Sequence, residues 1–408
     1  RLSLVGSEMC IRDRLYINLI SHKKLMKNLS ILGSTGSVGK STLEVVRRNA
    51  EKFQINLLTA NTNFSLMLDQ IEEFGPKFVF LEDTEAQKSL MRELEKTKIN
   101  TTLLTSEDQL MEVLADKNSE IVVAAMVGVA GLKPVYHAVE HGKNILLANK
   151  ESYVVAGEIL NSLSSVTGST IFPIDSEHSA IHQCLEGVKD KDSISKLILT
   201  GSGGPFLDRD IDDFDNVTPE EAISHPIWKM GNKISVDSST MMNKCLEIIE
   251  ARWLFDIVDI EVLIHPEGIV HSIVEFTDNS MLAQMSVPDM KIPIAYGLGF
   301  PERIISGSES INLDTLRTLT FRKPDYNKFP ALKLAKESIK EGGTSFAILN
   351  AANEECVEAF LKGKIAYLDI YKLIAKVLDK SDIKDVKCLD DIFQADKESR
   401  LMTRELFI

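Results

Sequence analysis

Leu29-Ser30-Ile31-Leu32-Gly33-Ser34-Thr35-Gly36-Ser37-Val38-Gly39-Lys40-Ser41 decides how this chain is read: a short apolar run, a turn with glycine at every third position, then the start of a helical pattern. Glycines in such a place permit a tight turn and let a pyrophosphate approach a helix N-terminus. Three readings of the turn compete. Its spacing is GxxGxxG rather than the GxGxxG of a dinucleotide fingerprint; Gly39-Lys40-Ser41 almost completes a P-loop, but Ser34 stands where that motif needs glycine; and a purely structural turn has the same composition. Its placement between a β-run and a helix favours a dinucleotide. The second β-run closes in Ala60-Asn61-Thr62-Asn63, without the carboxylate that usually meets a ribose 2′-hydroxyl, so the pattern predicts NADP rather than NAD.

Outward from this turn, β-type runs at 29–32, 55–60, 78–81, 121–125 and 145–148 alternate with helical stretches, the first expected over 41–48. This is the βαβ rhythm of a doubly wound parallel sheet. The expected class is α/β: a Rossmann-like nucleotide-binding domain over 26–170; a central α+β domain over 171–300, with antiparallel strands and a lid loop near 224–232; a connector over 301–323; and a C-terminal helical bundle over 324–408. Residues 1–25 do not begin with methionine and Leu4 to Arg14 resembles translated adapter sequence, so the natural start is expected at Met26; the alternative is a genuine N-terminal extension, disordered or loosely helical.

The chain has 408 residues, 44% of them hydrophobic, and a net charge of −14, which argues against bulk affinity for nucleic acid or an anionic membrane. An anionic substrate must then be held by a local cluster of donors. Five scattered cysteines without a CxxC pair fit a reducing compartment, and the expected location is the cytoplasm.

In Ile171-Phe172-Pro173-Ile174-Asp175-Ser176-Glu177-His178 an apolar run ends in two carboxylates spaced i, i+2. In an extended strand they share one face and suit a hard cation such as Mg²⁺ or Mn²⁺; equally, Asp175 can cap the next helix with Glu177 in its first turn. A third carboxylate, Glu247, follows Ser238, Asn243 and Lys244 on a helical stretch, so a phosphate on those three residues could lie beside a metal held by all three carboxylates. The bland alternative is a capped amphipathic helix. The segment Thr200-Gly201-Ser202-Gly203-Gly204-Pro205-Phe206 offers backbone N–H groups and a hydroxyl to an anion, or is a plain turn. His225-Pro226-Ile227-Trp228-Lys229-Met230-Gly231 has the composition of a lid in which Trp228 excludes water, or of a loop anchored by its tryptophan. Lys150 ends a β-run, where ligands collect in open α/β sheets.

Together with Leu147-Ala148-Asn149-Lys150-Glu151-Ser152 and Leu263-Ile264-His265-Pro266, these segments make the chain from Met26 onward resemble the 1-deoxy-D-xylulose 5-phosphate reductoisomerase family. The resemblance implies an NADPH-dependent, Mg²⁺- or Mn²⁺-requiring homodimer that converts 1-deoxy-D-xylulose 5-phosphate, a phosphorylated sugar, into 2-C-methyl-D-erythritol 4-phosphate on the methylerythritol phosphate route to isoprenoids. It implies NADPH contacts from Thr35, Gly36, Ser37, Val38, Asn149, Glu151 and Gly231, with Asn61, Thr62 and Asn63 on the adenosine side. It implies Asp175, Glu177 and Glu247 as metal ligands, and Ser202, Ser238, Asn243 and Lys244 on the phosphate. Lys150, Ser176 and His225 would contact the substrate under Trp228, with His271 nearby; Lys150, Asp175, Glu177, His225 and Glu247 would form the catalytic set. One departure is Thr62, where some members carry a basic residue.

Overall fold

The computed structural model describes residues 26–97, 99–228 and 230–407; the expectation for residues 1–25 lies outside them. Strands β1 (Lys27–Leu32), β2 (Phe53–Ala60), β3 (Phe78–Leu81), β4 (Thr102–Leu104), β5 (Ile121–Ala124), β6 (Asn144–Leu147) and β7 (Thr170–Pro173) form a parallel sheet in the order β4-β3-β2-β1-β5-β6-β7. Helices α1 (Ser37–Arg48), α2 (Phe64–Phe74), α3 (Thr84–Leu94), α4 (Glu107–Ala115), α5 (Leu132–Glu140) and α6 (Lys150–Thr167) lie along its connections. Successive residues of one strand enter two separate cores. Ile121 and Val123 of β5 pack with Leu29 and Ile31, whereas Val122 and Ala124 pack with Leu32 and Leu57. With both faces covered, each strand can be a continuous apolar run, and each buried aliphatic side chain contributes about 1.5–3 kcal/mol.

Strand order reverses between β1 and β5, so a crevice opens beyond the strands' C-terminal ends. The tips of β1, β6 and β7 lead into the glycine turn, into Ala148-Asn149-Lys150 and into Ile174-Asp175. One sheet edge thus carries the nucleotide-type turn and the first carboxylates.

After β7 come α7 (Ser176–Cys184), β8 (Ile194–Gly201), α8 (Pro219–Ile223), α9 (Asn232–Ser239), α10 (Met242–Phe255), β9 (Ile260–Ile264), β10 (Val270–Phe276), β11 (Met281–Met285) and α11 (Lys291–Gly299). The strands form a second sheet in the order β11-β10-β8-β9. The C-terminal helices α12 (Ala331–Glu341), α13 (Ser345–Leu361), α14 (Tyr367–Lys380) and α15 (Leu389–Glu405) pack into the larger core, as their periodicity predicts.

Four features differ from the expectations. Helix α1 begins at Ser37 rather than at residue 41, because the chain turns helical immediately after Gly36, which caps it without a side-chain hydrogen bond. Thr170–Pro173 does not open the second domain's sheet but pairs with β6 as the last strand of the first, so the first sheet runs past residue 170. The second sheet is mixed rather than antiparallel: β8 and β9 run parallel because the long helical connection between them returns the chain in the same direction. Finally, α11 crosses back and buries Ile294, Ala295, Tyr296 and Leu298 against the first sheet's core.

Gly39 is required by close approach, since a Cβ there would stand 2.3 Å from Gly33 O and 2.5 Å from Ser34 Cα. Both are backbone atoms of the turn. Gly39→Ala should therefore lower the thermal midpoint by several degrees, for an overpacking cost of about 1–3 kcal/mol, and weaken dinucleotide binding. An unchanged midpoint with unchanged NADPH affinity would contradict this packing.

Candidate active site

A cavity of about 290 Å³ opens where the two sheets meet. Ser37 and Val38 of the glycine turn line it, as do Lys150 at the start of α6, and Asp175, Ser176 and Glu177 at the start of α7. Across from them stand Ser202 after β8, His225 and Trp228 of the loop, Ser238 of α9, and Asn243, Lys244 and Glu247 of α10. The i, i+4 spacing of Asn243 and Glu247 puts them on one helical face, where Asn243 Nδ2 donates to Glu247 Oε1 at 2.5 Å. Gly204, with φ 68°, lets the loop after β8 lie on Ser238, because a Cβ there would meet Ser238 O at 2.8 Å.

Asp175, Glu177 and Glu247 each place a carboxylate oxygen within 4.8 Å of the other two. The backbone reason is not the extended strand that the i, i+2 spacing suggests: β7 stops at Pro173, Asp175 caps α7 by accepting from Ser176 N at 3.1 Å, and Glu177 sits in the first turn. Cap and cluster are therefore one arrangement. Lys150 Nζ lies 2.7 Å from Asp175 Oδ2 and 3.2 Å from Glu247 Oε1. Lys244 Nζ pairs with Glu177 Oε1 at 2.8 Å and with Glu247 Oε2, and donates to Thr200 O. Lys244 is thus committed to the carboxylates here, although its position on the cavity wall beside Ser202, Ser238 and Asn243 is the one expected for a phosphate donor.

Burial of these charges is tolerable only because they are paired. Burial by itself would lower the Lys150 pKa, but Asp175 and Glu247 hold it well above its ordinary value; Lys244 is likewise raised by Glu177 and Glu247 against burial. Glu177 is pulled to about 2 because the Lys244 ammonium outweighs burial. Burial, reinforced by the charge of Glu177, raises Glu247. Three carboxylates face two ammonium groups, leaving one negative charge in excess. An all-oxygen donor set with excess negative charge fits a hard divalent cation.

On the opposite wall, His225 Nδ1 accepts from Ile227 N at 3.2 Å and Trp228 N at 2.9 Å. Its proton is therefore on Nε2, which faces Ser202 Oγ at 3.0 Å. Burial lowers its pKa to about 4, below the ordinary 6.5, so protonation opposes the folded loop as pH falls from 6.5 toward 4. Trp228 stacks obliquely near His271, ring centroids 6.2 Å apart. His271 lies behind the cavity wall, bonded through Nε2 to Ser286 O at 3.1 Å.

Asn149 is buried, donating to Met126 O and Gly128 O, and Glu151 is paired with Lys233; neither is on the wall of this cavity. Thr35 and Gly36 border Ser37 at the turn, and Gly231 caps α9. Asn61, Thr62 and Asn63 are exposed at the end of β2, outside the cavity, with Asn63 Oδ1 capping α2 by accepting from Leu66 N at 3.1 Å. Sequence reading missed Ile234, Met241, Pro288, Asp289 and Met290 on the cavity wall, and gave no role to Ser41 and Met230, which line it from the glycine-turn and lid segments. Met241 takes a left-handed conformation, φ 61°, between α9 and α10, and Pro288 sits just beyond β11. Only the proline gave a local signal, as a strand breaker.

Lys244→Met would leave Glu177 and Glu247 buried without their shared cation, a change that typically costs about 3–5 kcal/mol. In chelator, its thermal midpoint should fall by several degrees, and saturating Mg²⁺ should raise the variant's midpoint more than the parent's. Equal Mg²⁺ shifts in the two proteins would show that Lys244 does not neutralise the cluster.

Family models match three stretches: 1-deoxy-D-xylulose 5-phosphate reductoisomerase over residues 29–157, the C-terminal domain of the same enzyme over 171–255, and the DXP reductoisomerase C-terminal domain over 285–402. The chain is 44% identical over 390 residues to the 1-deoxy-D-xylulose 5-phosphate reductoisomerase of Buchnera aphidicola, covering 93% of this chain and 98% of that one. It is 47% identical over 377 residues to that of Clostridium perfringens, covering 92% and 98%. A solved DOX-P reductoisomerase in complex with NADPH, fosmidomycin and magnesium superposes with a TM-score of 0.88 at 41% identity, covering 94% of this chain and 98% of that one. The Zymomonas mobilis enzyme in complex with NADPH gives 0.87 at 41%, covering 94% and 99%. The chain belongs to the 1-deoxy-D-xylulose 5-phosphate reductoisomerase family.

Proposed function

We infer that this chain uses NADPH and Mg²⁺ or Mn²⁺ to isomerise and reduce 1-deoxy-D-xylulose 5-phosphate to 2-C-methyl-D-erythritol 4-phosphate, a step toward isoprenoid precursors. The observation that carries this reading is that Ser37 and Val38 of the nucleotide turn open onto the same cavity as the three carboxylates. Relatives of this family have been solved with NADPH and with magnesium.

We assign Asp175, Glu177 and Glu247 to the cation. When bound, a divalent ion polarises a carbonyl and neighbouring hydroxyl and stabilises developing oxyanions, an effect of several kcal/mol. Lys150, kept protonated by Asp175 and Glu247, holds a proton at Nζ beside that position. Ser202, Ser238, Asn243 and Lys244 take the phosphate, whose remote binding energy orients the reacting carbons. Neutral His225 keeps its Nε2 proton toward Ser202 on this wall. Ser176 contacts the substrate from the start of α7, with His271 behind it, and Trp228 covers the cavity and excludes water so that a reactive aldehyde is reduced before it escapes. NADPH supplies the hydride. Its contacts are assigned to Thr35, Gly36, Ser37, Val38, Asn149, Glu151 and Gly231, with Asn61, Thr62 and Asn63 toward the adenosine.

In this division, 26–170 serves the nucleotide, 171–300 the metal and substrate, with 301–323 as connector to the helices of 324–408. A homodimer is proposed on the edge strand β11, where Met281, Leu282 and Met285 are 55%, 50% and 37% exposed at an unpaired sheet edge. No helix among the described residues is long and apolar enough to cross a membrane, and the cytoplasm is the proposed location.

Asp175→Asn preserves the helix cap, since asparagine caps as well as aspartate, while removing a metal-ligand charge. NADPH binding should survive, and turnover of 1-deoxy-D-xylulose 5-phosphate should fall by roughly two to four decades. Unaltered turnover would reduce Asp175 to a helix cap and remove it from the proposed metal site. A second measurement concerns the cofactor. Asn63→Asp also keeps its cap, but sets a carboxylate where a 2′-phosphate is expected; the ratio of kcat/KM for NADPH over NADH should narrow by roughly tenfold, ~1.4 kcal/mol. An unchanged ratio would place the adenosine ribose elsewhere.

A further inference from the structure

Lys233 occupies the first turn of α9, where the segment carrying His225, Trp228 and Met230 becomes helix. It does not line the cavity. Its ammonium bridges two buried carboxylates from different elements, Glu151 Oε1 at 2.7 Å on α6 and Asp237 Oδ2 at 2.8 Å on its own helix. Each partner is the chain neighbour of a cavity residue: Glu151 follows Lys150, and Asp237 precedes Ser238. Asp237 Oδ1 also accepts from Asn353 Nδ2 of α13 at 2.9 Å, and the Glu354 carboxylate adds a further negative charge nearby. Glu354 is itself paired with Arg400 at 2.6 Å. The cation thus sits where α6, α9 and α13 meet.

We propose that Lys233 is a positioning residue for the reductoisomerase reaction, holding the lid-bearing helix α9 against α6 so that Ser238 and the loop stay in register with Lys150 and the nucleotide. The proposal rests on the roles assigned above to Glu151, Lys150 and Ser238. Physically, a neutral side chain at 233 leaves Glu151 and Asp237 facing each other unpaired in a poorly solvated space, with Glu354 close by. Their repulsion acts directly between α6 and α9. A displacement of about 1 Å between a phosphate anchor and a reacting centre costs on the order of a hundredfold in rate.

The test uses the full chain with NADPH, Mn²⁺ and 1-deoxy-D-xylulose 5-phosphate, with NADPH deuterated at the transferred hydride as a second substrate. Lys233→Met should lower kcat by about ten- to a hundredfold and raise the substrate KM or the primary isotope effect, because hydride transfer itself becomes less well aligned. Lys233→Arg, which keeps the charge, should recover most of the rate. Should Lys233→Met fail to fold, Asp237→Asn serves instead, since it cuts one of the two ion pairs and leaves Lys233 with Glu151; it should show the same changes in smaller measure. A lowered kcat with isotope effect and substrate KM at parental values would mean only a smaller folded fraction and would overturn the proposal. So would a Lys233→Arg protein as slow as Lys233→Met. Absence of turnover by the parent would overturn the functional reading and this proposal with it, whereas parental turnover with unresponsive variants overturns this proposal alone.

Discussion

Two ammonium groups, those of Lys150 and Lys244, hold three carboxylates together, one buried and two partly buried, and the rest of the site is arranged around that electrostatic knot. Like charges at this separation repel strongly in a medium of low dielectric, so Asp175, Glu177 and Glu247 cannot converge without cations among them. The lysines meet this need in the protein as it folds. The arrangement also explains why three carboxylates can converge on a cavity wall: the two ammonium groups offset their mutual repulsion and keep their oxygens within reach of one another.

The fold supplies the convergence. Parallel strands must be joined by crossovers, so the C-terminal tips of β1, β6 and β7 share one edge and deliver the glycine turn, Lys150 and Asp175 to it. The second sheet then needs to bring only one wall. Its β8 tip and the helices α9 and α10 carry Ser202, Ser238, Asn243, Lys244 and Glu247 to the same cavity. Helix α11 returns to the first core and α13 touches both α6 and α9, so the two walls are tied at several points beyond the cavity itself.

Much of this was legible in the sequence, for a physical reason. Fully buried parallel strands are continuous apolar runs bounded by turns, and 29–32, 78–81 and 121–125 could scarcely be read otherwise. What was hidden is long-range. Nothing local in Thr170–Pro173 says that its partner is β6 rather than a strand of the following domain, and nothing in Lys291–Gly299 says that it covers the first sheet. The carboxylate pair shows a subtler case: a shared strand face and a cap with Glu177 in the first turn were read as alternatives, and the backbone is the cap while the carboxylates still converge. Lys244 reads as a phosphate donor from its place after Ser238 and Asn243, and its pairing with Glu177, 67 residues away, had no local signal. Lys233 gave no signal, because a lysine opening a helix looks solvated until Glu151, 82 residues away, is found beside it.

The central claim is that the converging oxygens of Asp175, Glu177 and Glu247 are the ligands proposed for a divalent ion, with Lys244 beside them serving the phosphate. A crystal structure with Mn²⁺ and a phosphorylated ligand, with the ion located by anomalous scattering, tests this most directly. The account predicts one peak ligated by Asp175, Glu177 and Glu247, with Lys244 Nζ moved from the carboxylates to the phosphate. A peak away from the three carboxylates, or Lys244 still bridging Glu177 and Glu247 beside a bound ion, would contradict it.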